Sequence, residues 1–275
     1  MNFFVKFLRY LLYDNKLNKI DPNDKKLLEI HAKNLYKKKI LKSAFNTFYD
    51  VLIDCRTRFV SVTGLEIELG SGVGFLKSRR PNVITSDIRN IPNIDLYLDA
   101  HRMRAIKRNS VSCIYAINVF HHLEDPDLFF KEVIRILKHG GACVLIEPHC
   151  GFISSFVHKY LHKSEIFDSK QIGWKAPTIS GPLSGANQAL SFIVFKRDIS
   201  IFEKKYGKSL ELIYQSYIPN SLRYFFSGGL NFHQILPDFL LPVIKKIEKF
   251  LMPIAKHWTL HEVTVLLKKF PTSEK

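Results

Sequence analysis

The sequence has little cysteine, no long apolar run and too few acidic residues to balance its bases. The four cysteines form no CxxC pair, which excludes a zinc knuckle and a dithiol redox motif: Cys55, Cys113, Cys143 and Cys150. No uninterrupted apolar run approaches the ~20 residues of a membrane-spanning helix. The N-terminal run MNFFVKFLRYLLY is broken by Lys6 and Arg9 and has no cleavage site, so we expect a cytoplasmic protein.

The excess of basic residues is confined to the two ends of the chain. The net charge is +16, of which residues 1–60 carry +7, residues 61–150 only +1 and residues 151–275 +8. We therefore expect the flanks to meet any anionic partner. The same division predicts a helical N-terminal extension at 1–60, a cofactor-binding half at 61–150, and a substrate cap with further strands at 151–275.

From residue 63 onward, short runs rich in β-branched residues alternate with longer amphipathic segments. Five runs predict strands: TGLEIEL, NVITSD, IDLYLD, SVSCIYAIN and GACVLIE. SLELIYQSYI and HEVTVLLKK near the C-terminus predict two more. Strands separated by helical spacers favour an α/β protein with a doubly wound, mainly parallel sheet of seven strands.

Three amphipathic segments predict helices. In EDPDLFFKEVIRILKHGG, Asp125 can cap the helix, Pro126 suits its first turn, and two glycines can close it. Its predicted apolar face is Leu128, Phe129, Val133, Ile136 and Leu137. KKILKSAFNTFYDVLIDC also predicts a helix. We assign ALSFIVFKRDISIFEKKY to helix, although its apolar centre would suit a strand equally well.

The stretch LEIELGSGVGFLK places an acid, Glu68, ahead of three glycines: Gly70, Gly72 and Gly74. A strand followed by glycines and a helix directs backbone N–H groups toward a ligand. A triphosphate-binding loop would end in Gly-Lys-Ser or Gly-Lys-Thr, which is absent here. A dinucleotide site would have its third glycine at position 75, where this chain has Phe75.

This glycine spacing behind an acid resembles the first motif of class I methyltransferases that use S-adenosylmethionine. The resemblance implies a Rossmann-like sheet, and a cofactor whose sulfonium and ammonium groups suit the charge of Glu68. Asp87 ends the second predicted strand, where an acid binds ribose hydroxyls in nucleotide-binding units. These matches predict an S-adenosylmethionine site at the carboxyl ends of the strands.

Two later stretches extend the resemblance over roughly residues 63–148. LDAHRM resembles the family's Asp-Ala pair at the adenine edge, which assigns Asp99 and Ala100 to the cofactor. AINVFHHLEDP resembles the fourth motif of the small-molecule branch, which places Asn118 close to the methyl group. For each acid taken singly, capping a helix or ending a strand is the alternative interpretation.

Methyl transfer is an in-line displacement in which alignment supplies much of the acceleration, but the acceptor can still need a base. His121 and His122 follow the fourth predicted strand, while Glu147 and His149 end the fifth. Neutral histidine is the natural base near pH 7. We predict His122 first and His121 second as catalytic residues, with packing or loop hydrogen bonding as the alternative, and we predict no metal ligands.

The acceptor is expected to be a small molecule or a glycan. The Asp/Asn-Pro-Pro-aromatic motif of base amino-methylation and the Pro-Cys of cytosine methylation are both absent, which disfavours nucleic acid. Two stretches, GWKAPTISGPLSGANQAL and RYFFSGGLNFHQILP, resemble the tail of methyltransferase type 11 proteins found with bacterial surface-polysaccharide genes. That resemblance implies O-methylation of a glycan or glycolipid acceptor that carries phosphate.

A basic, aromatic cap would suit such an acceptor, because aromatic rings stack on sugars and cations bind phosphate. The candidates are Trp174, Arg223, Tyr224 and Phe225. Two other functions stay open: an RNA methyltransferase, and a non-catalytic, membrane-associated protein that binds S-adenosylmethionine.

LLPVIKKIEKFLMPIAKHW predicts a short basic amphipathic helix. Its apolar face comprises Leu240, Val243, Ile244, Ile247, Phe250 and Leu251. Its lysines turn largely away from that face: Lys245, Lys246 and Lys249. With the similar N-terminal run FFVKFLRYLLY, this helix predicts peripheral contact with the anionic inner face of a membrane. The alternative is that both apolar faces pack on the sheet domain.

Overall fold

The computed structural model describes the following residues: 20, 24–72, 75–91, 94–161, 165–176 and 186–271. The predicted N-terminal run FFVKFLRYLLY, the third glycine Gly74 and most of TISGPLSGANQAL lie outside these residues. Two helices, α1 (Lys25–Lys37) and α2 (Lys39–Phe59), make up the described part of the predicted N-terminal extension.

Within the described residues, seven strands form one sheet, which confirms the predicted α/β fold. The strands are β1 (Leu65–Leu69), β2 (Ile84–Asp87), β3 (Leu96–Tyr97), β4 (Val111–Ile117), β5 (Leu137–Pro148), β6 (Leu210–Tyr217) and β7 (His261–Lys268). Their order is β3-β2-β1-β4-β5-β7-β6. β1 to β5 are parallel, and β7 is antiparallel to both β5 and β6. The carboxyl ends of β1, β2, β4 and β5 therefore share one edge.

Helices surround this sheet. Those after β4 are α3 (Pro126–Ile136), α4 (Phe152–Leu161), α5 (Ile199–Tyr206), α6 (Ser221–Phe226), α7 (Leu241–Leu251) and α8 (Ala255–Trp258). Short 3₁₀ turns lie at Phe75–Ser78, Phe120–His122, Asp238–Leu240 and Met252–Ile254. The helix predicted at 189–206 is confirmed, but a π-helical turn at Ile193–Arg197 separates Leu190–Phe192 from α5.

The core consists of two apolar layers, one on each face of the sheet, as a doubly wound fold requires. β4 alternates between them, because successive strand side chains point to opposite faces. Ile114 joins the layer that contains Phe130 of α3, and Tyr115 joins the layer that contains Phe48 of α2.

The helix after β4 ends earlier than predicted. α3 ends at Ile136, and the chain passes directly into β5, whose first residue Leu137 pairs with Val111 of β4. Gly140, expected to close the helix, has a φ of +77° and lies within β5. Pairing with β4 thus takes the place of helix extension, and Gly140 lies inside the strand rather than at the end of the helix. Leu128 of the predicted apolar face is 42% exposed, and Phe130 is buried in its place.

One buried carboxylate connects α2 with β1 and β4. Glu66 accepts hydrogen bonds from Arg80 Nε (2.7 Å) and Nη2 (2.5 Å), from Arg56 Nε (3.0 Å) and from the Tyr115 hydroxyl (2.7 Å). Burial alone would raise the pKa of Glu66, but these hydrogen bonds outweigh it and hold the pKa below its ordinary value. The ion cluster therefore stabilises the fold while Glu66 is ionised.

We expect Glu66→Gln to lower the free energy of unfolding by about 2 kcal/mol near pH 7, because it leaves Arg56 and Arg80 without their carboxylate. Asp54→Asn, which removes an exposed pair with Arg58, should cost less than about 0.5 kcal/mol. The depressed pKa means that the contribution of Glu66 is present above about pH 4.3 and is lost as the pH falls through the folded-state value. Chemical denaturation over that range measures both effects, and equal losses in the two variants would contradict this account.

Candidate functional site

The turn after β1 lies directly against the turn after β4. Gly70 (φ +62°) and Gly72 (φ +51°) both adopt the left-handed conformation that glycine tolerates best. A Cβ at Gly70 would lie only 2.4 Å from Cγ2 of Val119. At Gly72 the nearest side-chain atom would be Cδ2 of Leu28 in α1, at 3.8 Å. Gly70 thus permits the two turns to touch, whereas space remains beside Gly72.

Two buried acceptors at this edge lack a hydrogen-bond partner among the described residues. One is Oε2 of Glu68 at the end of β1, and the other is Oδ1 of Asn118, a residue with a φ of +54° just after β4. Burial raises the pKa of Glu68 to about 8; a hydrogen bond from Ser71 lowers it, and the charge of Asp87 raises it further. A buried acid without a counter-charge suits a ligand that brings a positive charge.

The other two predicted cofactor-binding acids are Asp87 at the end of β2 and Asp99 after β3, and both already have hydrogen-bond partners. Asp87 is buried, accepts the backbone N–H of Gly72 (3.1 Å) and pairs with Arg89 (2.9 Å). Asp99 accepts the backbone N–H (2.8 Å) and contacts the ring Nδ1 (2.9 Å) of His101, beside the buried Ala100. Asp87 therefore ties the glycine turn to β2, and any ribose hydroxyl would share it with Arg89.

Glu147 of β5 organises the turn after β4. Its buried carboxylate accepts backbone N–H groups from Val119 (2.9 Å), Phe120 (2.7 Å) and His121 (3.3 Å). It also lies 2.5 Å from Nδ1 of His121. Because all these groups are donors to one carboxylate, Glu147 fixes both the backbone of the turn and the orientation of the His121 ring. We therefore regard it as a positioning residue rather than the base.

The two predicted catalytic histidines lie together with Glu165, which sequence analysis did not single out. Nε2 of His121 is 3.5 Å from Oε2 of Glu165, and Nε2 of His122 is 3.8 Å from Oε1. Burial lowers the pKa of His121, but Glu147 and Glu165 outweigh that effect and raise the pKa to about 10. At neutral pH His121 is therefore protonated and has no free nitrogen to accept a proton. Of the two histidines, His122 is the better candidate for a base.

His149 has a structural role. Its Nδ1 contacts Glu262 (3.0 Å), and its Nε2 is 3.0 Å from the carbonyl oxygen of Lys256, so both ring nitrogens are engaged. These contacts join the end of β5 to β7 and α8. His149 is therefore less suited than His122 to accept a proton from an acceptor.

Two residues of the predicted substrate cap are used by the fold itself, and their assignment to the acceptor was wrong. The buried guanidinium of Arg223 bonds Glu248 (2.6 Å), and its other donors bond residues of α2 and Pro219. Trp174 is buried in the core and donates Nε1–H to Asp198 (3.1 Å). Tyr224 packs at 5.1 Å from the His261 ring, and Phe225 against Phe226. These side chains are used in packing contacts within the protein, which the local sequence pattern does not encode.

The contact between the two turns can be tested by stability. Gly70→Ala should cost about 2 kcal/mol or more, because it adds backbone strain to a clash with Val119. Gly72→Ala has the same strain but no clash, so we expect about 1 kcal/mol.

Combining Gly70→Ala with Val119→Ala removes the clashing methyl group, and the pair should show a favourable coupling of about 1 kcal/mol in a double-mutant cycle. Strictly additive losses in chemical denaturation would show that the turns do not touch as described.

Residues 67–145 match a family model described as Methyltransferase domain. The match runs from β1 into β5, so it contains the glycine turn, Asp87, Asp99 and the turn after β4. It spans less than a third of the chain. The comparison with curated proteins finds no match.

The structure is also similar, at low identity, to solved methyltransferases. Phosphoethanolamine N-methyltransferase 2 of Haemonchus contortus is 14% identical (TM-score 0.41), with 81% of this chain and 53% of that chain covered. Geranyl diphosphate C-methyltransferase of Streptomyces coelicolor is 12% identical (TM-score 0.41; 82% and 77% covered). A SAM-dependent methyltransferase of Archaeoglobus fulgidus is 12% identical (TM-score 0.41; 80% and 93% covered). This chain thus spans about half the length of the Haemonchus protein. Residues 67–145 are therefore similar to the methyltransferase domain that the family model describes.

Proposed function

We propose that the turns after β1 and β4 bind S-adenosylmethionine and present it to a glycan or glycolipid hydroxyl for O-methylation. When bound, this cofactor supplies an electrophilic methyl group on a sulfonium sulfur, which leaves as a neutral thioether when the methyl group is transferred. The observation that carries the proposal is the contact of Gly70 with Val119, flanked by buried acceptors of Glu68 and Asn118 that have no partner among the residues the structure describes. An incoming ammonium group would satisfy such acceptors.

The residues at the edge fit the cofactor by charge and by space. Glu68 would take the ammonium group, Asp87 the ribose hydroxyls, and Asp99 with Ala100 the adenine edge. The open space beside Gly72 allows a ligand to approach the backbone. A pyrophosphate would meet the carboxyl groups of Glu68 and Asp87 and bring no positive charge to pair with them, which disfavours a dinucleotide at the same place.

Acceptor chemistry is assigned to the turn after β4. Glu147 holds the ring of His121, whose protonated form can donate a hydrogen bond, and in this proposal His122 takes the proton of the acceptor hydroxyl. The glycan assignment is supported by the resemblance to polysaccharide-associated methyltransferases and by the basic flanks of the chain. RNA methylation and non-catalytic cofactor binding are the competing functions.

Cofactor binding should depend on pH through Glu68. Below about pH 8 this residue must release a proton to pair with a cation, so affinity for S-adenosylmethionine should rise by up to about tenfold per pH unit and level off above pH 8. In the protein without ligand, pH acts on stability in the opposite direction. The raised pKa of Glu68 stabilises the fold fully below about pH 4.3, and this contribution is lost as the pH rises through 8.

Calorimetric titration between about pH 6 and pH 8 in buffers of different ionisation enthalpy measures the released proton. Glu68→Gln should bind more weakly and without proton release. Asp99→Asn is the matched control, because it should weaken binding yet retain the pH dependence. Wild-type binding that is independent of pH would contradict the role of Glu68.

The acceptor class can be identified by labelling. We expect methyl-labelled cofactor to transfer label to an extracted glycolipid or nucleotide-sugar pool, and mass spectrometry of that pool should locate a methyl ether. Label in the RNA pool alone would favour the RNA alternative, and no label with intact cofactor binding would favour the non-catalytic one.

With the labelled pool as substrate, His122→Ala should lower turnover by about 10²-fold or more while leaving cofactor affinity unchanged. His139→Asn is the control, because it alters a histidine whose Nδ1 is hydrogen-bonded to the backbone oxygen of Lys269 at the opposite end of the sheet. Unchanged turnover in His122→Ala would place the base elsewhere.

We also propose that the enzyme works against an anionic membrane surface, with α7 as the contact. Of the predicted apolar face, Ile244 is buried, whereas Val243, Ile247 and Phe250 are 51%, 44% and 82% exposed. Phe239 and Ile254 extend the exposed apolar stripe beyond both ends of the helix. No helix within the described residues is long and apolar enough to cross a bilayer.

The surroundings of α7 support the same proposal. Its buried face is fastened to the body by the ion pair between Glu248 and Arg223, so the stripe points away from the sheet. Lys245, Lys246 and Lys249 are exposed beside it. An apolar stripe next to lysines suits an anionic leaflet, to which each lysine near the surface contributes about 1 kcal/mol.

Liposome flotation tests the membrane contact. The protein should float with anionic but not with neutral vesicles, and high salt should release it, because the Debye length falls from about 10 Å at 0.1 M to about 3 Å at 1 M. Replacing Lys245, Lys246 and Lys249 by Glu should abolish flotation. The same charge change at Lys131, Lys204 and Lys208 should not. Absence of flotation at low salt would leave an enzyme that does not bind membranes.

A further inference from the structure

His121, His122 and Glu165 converge on one point at the carboxyl end of β4. Their potential ligand atoms, one from each residue, all lie within 4.8 Å of one another. Each histidine also contacts a different oxygen of Glu165: Oε2 is 3.5 Å from His121 Nε2, and Oε1 is 3.8 Å from His122 Nε2. Ligand atoms about 2.1 Å from a tetrahedral metal ion lie roughly 3.4 Å apart, which is close to both values.

We infer that these three residues bind a first-row divalent metal ion, with Zn²⁺ as the best match. Two imidazole nitrogens and one carboxylate oxygen are the ligand types that zinc and its neighbours favour, whereas Mg²⁺ favours oxygen alone. Three protein ligands leave a fourth position open, as in catalytic rather than structural zinc sites.

The groups behind the three ligands have the arrangement that metal sites use. Glu147 holds Nδ1 of His121, so Nε2 of the same ring is directed at Glu165 and away from the backbone. Metal-ligating histidines are commonly oriented by a carboxylate in this way. The side-chain amide of Gln188 donates to Glu165, which fixes the third ligand as well.

The surroundings of the three ligands are acidic. Two carboxylates, Glu147 and Glu165, flank the buried ring of His121, and a negatively charged environment favours a cation over an anion at this place. The role of the metal ion rests on the proposed function and replaces the roles of the two histidines there: with the ion bound, His121 and His122 are ligands rather than donor and base. An acceptor hydroxyl at the open position would have its pKa lowered by the ion and would release its proton to water.

Zinc binding by the full chain tests the inference without any acceptor. Protein freed of metal by dialysis against a chelator should bind one Zn²⁺ per chain in calorimetric titration, and Co²⁺ should give the visible spectrum of a tetrahedral site. Glu165→Gln and His122→Ala should each weaken Zn²⁺ binding by about 100-fold or more, and Glu147→Gln by about 10- to 100-fold. His257→Ala, which removes an exposed histidine of α8, should leave the affinity for Zn²⁺ unchanged.

Circular dichroism and cofactor binding of each variant, measured without metal, show whether it is folded. Absence of stoichiometric Zn²⁺ binding by wild type, or binding that folded Glu165→Gln and His122→Ala retain, overturns the metal site. S-adenosylmethionine binding without Zn²⁺ binding overturns the metal site alone. Zn²⁺ binding that depends on these ligands, without S-adenosylmethionine binding, supports the metal site and contradicts the proposed function instead.

Discussion

Gly70 and Val119 lie so close together that the site allows only a hydrogen atom on the glycine Cα, and this contact joins the turns after β1 and β4. On the other side of the second turn, the carboxylate of Glu147 accepts three successive backbone N–H groups and so ties it to β5. The ends of three parallel strands are thereby held as one unit. Glu68, at the end of β1, and His121, which Glu147 orients, depend on this unit for their positions.

The two glutamates of β1 show how the fold separates stability from ligand binding. Glu66 and Glu68 stand two positions apart on the same side of the strand, and both are approached by residues of α2. Arg56 donates a hydrogen bond to Glu66, whose pKa is lowered by its hydrogen bonds. Glu68 lies near Tyr49 instead, and burial raises its pKa to about 8. The first acid is satisfied within the protein. The second lacks a counter-charge, and that gap is the property a cationic cofactor would use.

Signals that are local in sequence predicted much of the fold. Short apolar runs rich in β-branched residues located the parallel strands, and the glycine spacing located the turn, because both follow from backbone geometry over a few residues. Features that depend on distant partners were missed or wrong. Nothing in HKSEIFD indicates that Glu165 is a neighbour of His121. The sequence likewise predicted that Arg223 could bind phosphate, but in the fold its guanidinium donates to Glu248 and to α2. The early end of α3 has the same origin, since pairing of Leu137 with β4 competes with the helix.

The central claim is that the edge formed by the turns after β1 and β4 holds S-adenosylmethionine. A crystal structure of the protein with S-adenosylhomocysteine tests it most directly, because that product keeps the ammonium and ribose groups of the cofactor. We predict that its ammonium group lies within hydrogen-bond distance of Glu68 Oε2 or Asn118 Oδ1, two acceptors without a partner in the described part of the chain. Density for the ligand at another place, with both acceptors still unpaired, would contradict the account.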